Sequence, residues 1–254
     1  MSLKTVIDKK NRYLDKISAQ FEADFDRLSG KIQRMLVAMI KEGNLDREAL
    51  RSVFMESYEP LANKFINDYR NVYPYIRGIA AETGIAVTLP EASLAMIQLY
   101  EENNIAALLN ATEPIIDSMG KAALKFYNEG PRFGTLVKGL EEERLLKMRV
   151  ATLNEDIDEL LRLAKQRVAA EANTGLAIYE RGIRDQQYKA ADIERFTYIG
   201  PLDQVTRDEC RQVMEDPRNE TIGFTRQEIL ELPVDMNTGG GYNCRHSFYP
   251  FVEV

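Results

Sequence analysis

The chain has 254 residues, a formal net charge of −7, 44% hydrophobic and 29% charged residues, and a pI near 5.1. That length holds one large domain or two modest ones. With only 15 glycines, 9 prolines and 2 cysteines, the composition excludes global disorder, a low-complexity chain and a disulfide-dense scaffold. The acidic balance, with no dense Lys/Arg run, argues against a packaging histone or a general DNA coat, because nonspecific phosphate binding needs clustered cations. No specific nucleic-acid binding is expected.

Charges interrupt the first apolar residues of Met1 to Lys9, so no secretory signal is expected and the chain is read as made in a cytoplasm. No apolar run approaches the ~18 residues of a membrane span, so no stable membrane insertion is expected. The sequons at Asn110 and Asn219 are then coincidental.

Residues 3–41 carry a helical pattern. Ile7, Leu14, Phe21, Leu28 and Met35 recur every seven residues, with Phe25, Ile32 and Met39 beside them, as in a coiled coil or a long bundle helix. Lys41-Glu42-Gly43-Asn44 supplies a stop and a new cap. A second helical stretch, 45–83, has an apolar face of Leu50, Phe54, Leu61, Phe65, Ile66 and Tyr69, and Pro60 and Pro74 are expected to kink or divide it. Leu89-Pro90-Glu91 opens a third, running to about Tyr127 with an interruption near Pro114. Asn128-Glu129-Gly130-Pro131 is a breaker. Next comes the cleanest helical phase, Leu146, Val150, Leu153, Ile157, Leu160, Ala164 and Val168, which persists to about Tyr188.

After Lys189 the pattern changes. Phe196-Thr197-Tyr198-Ile199 before Gly200-Pro201 reads as a strand and a turn. Thr206-Arg207-Asp208-Glu209 and Thr225-Arg226-Gln227-Glu228 are capping-box patterns that each start a short helix. Phe248-Tyr249-Pro250-Phe251-Val252 reads as a strand at a sheet edge, because Pro250 cannot donate to a ladder. The expected fold is mainly α: a long-helix bundle or hairpin body over 1–165, and a small α+β module over 166–254 whose leading helix continues from the body.

Two cysteines and the lone histidine form the one constellation with metal-ligand character. Cys210 falls in the first turn of the helix expected after Thr206, where free N–H groups and the helix dipole favour a thiolate. Cys244 and His246 are two apart, so in an extended segment they point to one side. If the Gly239-Gly240-Gly241 turn brings Cys244 back to Cys210, three zinc ligands converge; a structural zinc takes four, and Asp203 or a nearby Glu is a candidate for the last. A Cys210–Cys244 disulfide and two packed thiols with a surface histidine are the competing readings. A nucleophilic Cys–His pair lacks an evident orienting group. The glycine run lacks the Lys-Ser/Thr of a P-loop and the context of a dinucleotide fingerprint, so a tight turn is the better account.

Over about residues 170–254 the chain resembles the Mu F-like, or phage minor head protein, family. The residues that carry the resemblance are Phe196 to Pro201, then Asp203, Thr206, Arg207 and Cys210, then Asn243, Cys244, Arg245 and His246. Glu171, Asn173, Thr174 and Tyr179 match the helix leading in, and Phe224 to Ile229 match the connecting helix. Many relatives carry an additional Cys and finish on Cys-x-Cys; here Met214 and its neighbours follow Cys210, and His246 takes the last place. The resemblance implies a structural, non-enzymatic minor capsid component of a tailed bacteriophage. It would be portal-associated within the virion head and act in head assembly, DNA packaging or DNA ejection. Its partners would be the portal protein and capsid protein. An enzyme or effector using Cys210 and His246 is one alternative; an ejected protein acting at the host envelope is another.

Overall fold

The architecture was analysed in a computed structural model that describes residues 3–42, 46–85, 88–128, 140–241 and 244–251. The chain is mainly α, with a small three-stranded antiparallel sheet near the C-terminus. The long helices are α1 (Leu3–Lys41), α2 (Arg47–Tyr69), α3 (Tyr73–Glu82), α4 (Glu91–Asn110), α5 (Glu113–Asn128) and α6 (Leu140–Ala190). Then follow β1 (Arg195–Ile199), α7 (Asp208–Met214), α8 (Pro217–Thr221), β2 (Phe224–Thr225), α9 (Arg226–Ile229) and β3 (Ser247–Pro250). The expected stop at Gly43 and Asn44 lies outside the described residues, as do Glu129, Gly130 and Pro131 of the expected breaker and Val252 of the expected last strand.

The heptad reading of α1 needs correction. Ile7, Lys10, Ile17, Phe21, Phe25, Ile32, Leu36 and Ile40 are buried, whereas Leu14, Leu28, Met35 and Met39 are half-buried. A straight α-helix drifts ~20° per heptad from a seven-residue repeat. Over four heptads the buried stripe therefore moves off the row that begins at Ile7. The same correction applies to α6, where Leu161 is buried and Leu160 is only partly so. Leu146 belongs to that helix, but its side chain lies outside the described ones.

Pro60 does not divide α2, which runs unbroken from Arg47 to Tyr69. An interior proline costs about 3 kcal/mol through its missing N–H and its clash with the preceding turn. Phe54, Tyr58, Leu61 and Phe65 flank it and are all buried; each contributes roughly 1.5–3 kcal/mol by leaving water, so packing prevails. Pro74 does mark a break. A 3-10 turn, Arg70–Val72, precedes it, and it occupies the start of α3. Pro114 likewise sits in the first turn of α5.

The chain groups into two compact units that interleave in sequence, rather than dividing in chain order near 165. One comprises Ala19–Phe65 and Ala107–Ala169. Its interior is almost wholly apolar, with Phe21 against Phe65 at 4.6 Å between ring centroids and Phe25 edge-on to Tyr58 at 6.0 Å. The other comprises Met1–Ser18, Ile66–Ala106 and Ala170–Val254, and it contains the sheet. Its strand order is β2-β1-β3, so β3 is an edge strand and its Pro250 lies opposite Phe196. Phe196 and Tyr198 of β1 point into a core with Tyr188, Val213, Phe224, Ile229, Val234 and Phe248.

Inside this second unit a polar knot replaces ordinary packing. The Lys10 ammonium, 2% exposed, donates to Glu180 Oε1 at 2.9 Å and to the Tyr249 hydroxyl at 3.0 Å. Arg184, one helical turn beyond Glu180, donates to Glu180 Oε2 at 2.8 Å and to the Phe248 carbonyl at 2.9 Å. The first helix, α6 and the last strand are thus tied together by directional bonds.

Candidate metal centre

The site starts from the central strand. Tyr198 is fully buried on β1, and its backbone is held by a side chain rather than only by another strand. The Asn219 amide accepts from Tyr198 N–H at 2.6 Å and donates to the Tyr198 carbonyl at 3.0 Å. Asn219 is itself buried at 6% exposure on α8, so the sequon there is a structural asparagine.

Cys210 lies in the first turn of α7, 1% exposed. Thr206 does not cap that helix. Arg207 occupies the N-cap in extended conformation and makes no side-chain cap bond. The Thr206 hydroxyl instead closes the preceding turn, accepting from Asp203 N–H at 2.9 Å and lying 2.9 Å from the Pro201 carbonyl oxygen to which it donates. The local turn outcompetes the cap because all its partners lie within five residues. By contrast, the capping box at Thr225 forms in full, with Thr225 and Glu228 bonding each other's backbone N–H.

The loop from Asp235 folds Cys244 back onto Cys210. Asp235 and Gly239 exchange backbone bonds at 2.9 and 2.8 Å, and Gly239 has the left-handed φ of 61° that glycine tolerates best. A Cβ on Gly240 would collide with Cys210 Sγ, so this position must be bare for the loop to pass. Gly200 meets the His246 ring in the same way. Arg181, buried on α6, anchors the returning chain: its guanidinium donates to the Cys244 carbonyl at 2.5 Å, Ser247 Oγ at 3.1 Å and the Asn237 carbonyl at 3.2 Å.

Cys210, Cys244 and His246 therefore converge, with one ligand atom from each lying within 4.8 Å of the others. Sγ to Sγ is 3.7 Å, and Cys244 Sγ to His246 Nδ1 is 3.8 Å. Both cysteines are unbonded thiols; a disulfide would hold the sulfurs at ~2.05 Å. A tetrahedral zinc with bonds of ~2.3 Å to sulfur and ~2.0 Å to nitrogen separates its ligand atoms by about 3.5–3.8 Å. The donor set fits a soft divalent ion in chemistry, and the Cys210–Cys244 and Cys244–His246 separations lie close to that spacing. The histidine is not a surface residue: it is 3% exposed, and its Nε2 has no hydrogen-bond partner.

Electrostatics assign the thiolate to Cys244, not to Cys210 as its helix position suggested. Burial pushes the Cys210 thiol up. Burial pushes Cys244 up as well, but the His246 ring and N–H, the Gly240 N–H and the Arg181 guanidinium outweigh it and bring Cys244 down to about 5. The Gly240 and His246 N–H groups lie 3.2 and 3.4 Å from that sulfur. A seven-residue helix offers Cys210 less than these directed donors offer Cys244.

The remaining motif residues surround the site without entering it. Asp203 pairs with Arg245 at 2.6 Å, which holds its carboxyl below the usual range. Arg207 donates to the Gly240 carbonyl at 2.8 Å, tying the α7 start to the glycine loop. Asn243 lies outside the described residues. Sequence reading missed Arg181, Tyr198 as a neighbour of both sulfurs, and Asn219. The charged run Glu180-Arg181-Gly182-Ile183-Arg184-Asp185 inside an otherwise periodic helix was the available signal for the first.

No family model, no curated protein and no solved structure matches the chain. Among the described residues, no helix is long and apolar enough to cross a membrane.

Proposed function

We propose that this chain is a structural minor head protein of a tailed bacteriophage, associated with the portal vertex and acting in head assembly, DNA packaging or DNA ejection. The observation that carries this reading is convergence. Three sequence blocks bear the resemblance to Mu F-like proteins: the aromatic strand, the Asp203–Cys210 turn and helix start, and the Cys244–His246 segment. In space they form one site, through Asp203–Arg245, Arg207–Gly240 and the Cys210–Cys244–His246 cluster.

The same site is a staple rather than an active centre. Cys210, Cys244 and His246 are 1%, 7% and 3% exposed, which supports a structural role for the sulfurs over a nucleophilic one. When bound, a zinc ion supplies metal–thiolate and metal–imidazole bonds that cross-link α7 to the segment entering β3. Arg181 and the Gly240 N–H orient Cys244 for this role, and Gly200 leaves room for the His246 ring. The outcome is a rigid module suited to docking on portal or capsid protein.

Affinity capture of the cognate portal protein with the full chain, together with mass spectrometry of purified particles, tests the proposal. Capture and a low-copy virion signal are expected. Failure to bind portal, combined with absence from particles, overturns it.

A further inference from the structure

We infer that the Tyr198 phenol oxygen is the fourth ligand of this centre, completing a Cys210, Cys244, His246, Tyr198 donor set. The inference rests on the metal reading of the site and names the group that closes it. Three protein donors leave one tetrahedral position, which goes to a protein atom in a closed structural site or to solvent in an open catalytic one. This site is closed: all four side chains are buried.

Distance selects Tyr198. Its Oη is 3.5 Å from Cys210 Sγ and 3.8 Å from Cys244 Sγ. The edge between sulfur and oxygen ligands of a tetrahedral zinc, with bonds of ~2.3 and ~2.0 Å, is about 3.5 Å. The two sulfurs and Oη thus form one triangular face with sides of 3.7, 3.5 and 3.8 Å. His246 Nδ1 lies 3.8 Å from Cys244 Sγ. The Tyr198 and His246 rings stack at 5.6 Å and 18°, which sets the two side chains beside each other. Asp203, the carboxylate nearest in sequence, is engaged by Arg245 and by its own turn. Among the described residues no Asp or Glu joins the Cys210, Cys244, His246 group.

The surroundings fix the phenol in place. Asn219 pins the Tyr198 backbone on both sides, and Phe248 packs on its ring at 4.6 Å. An oxygen held by this many contacts is set before the ion arrives, as a ligand position requires.

The test uses the reduced, metal-free full chain, titrated with Zn²⁺ and with Co²⁺, for the natural protein and for Tyr198→Phe, which keeps the ring and its stacking. The natural protein is expected to take up one equivalent, to show the near-ultraviolet difference band of one ionised phenol, and to release one more proton than Tyr198→Phe. The proton count comes from calorimetry in buffers of different ionisation enthalpy. Tyr198→Phe is expected to keep one-to-one binding with affinity lowered about ten-fold or more, and to lack the band. One-to-one binding by the natural protein with no phenol band and no difference in proton release overturns Tyr198 as a ligand and leaves the metal reading standing. No binding by the natural protein overturns both. The phenol band needs no variant, so the result survives poor folding of Tyr198→Phe.

Discussion

The two units solve the problem of a stable interior in opposite ways. The Ala19–Phe65/Ala107–Ala169 unit buries Phe21, Phe25, Ile32, Leu36, Phe54, Leu153 and Ile157 and keeps its ion pairs at the surface, as with Arg47–Asp117 and Lys165–Asp26. The unit with the sheet buries Lys10, Glu180, Arg181, Arg184, Asp185 and His246 and bonds nearly all of them. Apolar contact is non-directional and tolerates many side chains of similar volume. Buried hydrogen-bonded charge accepts one geometry and penalises its loss heavily. One unit is therefore specified by pattern, the other by particular partners.

The largest test of that contrast is Glu180→Gln. The change is nearly isosteric, yet it leaves the Lys10 and Arg184 cations buried without an anion, and about 3–5 kcal/mol of stability should be lost in denaturant unfolding. The natural protein should carry a matching pH signature. Burial pushes the Glu180 carboxyl up, but Arg184 and Lys10 overcome this and hold it at about 2. A depressed folded pKa contributes stability that is fully present above the unfolded value near ~4.3 and is lost as pH falls toward the folded one. Midpoints measured from pH 5 down to about pH 2 should decline more steeply for the natural protein than for Glu180→Gln; equal slopes would remove Glu180 from the account.

An equally conservative change in the other unit should matter far less. Leu36→Met keeps volume and apolarity at a fully buried site, and a loss below about 1.5 kcal/mol is expected. A loss as large as that of Glu180→Gln would erase the contrast. Thr225→Ala removes a formed capping box and should cost about 1 kcal/mol by thermal melting. Smallest of all, Arg47→Ala deletes a half-exposed ion-pair cluster and should leave the unfolding midpoint almost unchanged, with any difference shrinking further in high salt.

The same contrast explains what was legible beforehand. Helices α1 and α6 could be read because apolar residues recur with helical spacing, and only the phase drifted, at Leu28, Met35 and Leu160. Pro60 was misjudged because a local rule takes no account of the burial of Tyr58 and Phe65 on either side. In the sheet unit, Cys210, Cys244 and His246 were found because soft and imidazole donors are rare here: two cysteines and one histidine in the whole chain. Tyr198, Asn219 and Arg181 were not found, because tyrosine, asparagine and arginine are common and nothing periodic marks them. Thr206 shows the limit of a local motif: its hydroxyl had two uses within reach, and only the folded turn decides between them.

The Lys10 bonds have a consequence for how the molecule is made. Lys10 lies 170 positions before Glu180 and 239 before Tyr249. On the ribosome, the Ala19–Phe65/Ala107–Ala169 unit has all its residues before any of Ala170–Val254 emerges. The start of α1 must wait until β3 has been made before the Lys10 ammonium finds both partners. Contacts of such separation form late and slowly. The start of α1 is therefore among the last segments to be locked, and a nascent chain stalled before Tyr249 lacks one of the two partners that hold Lys10.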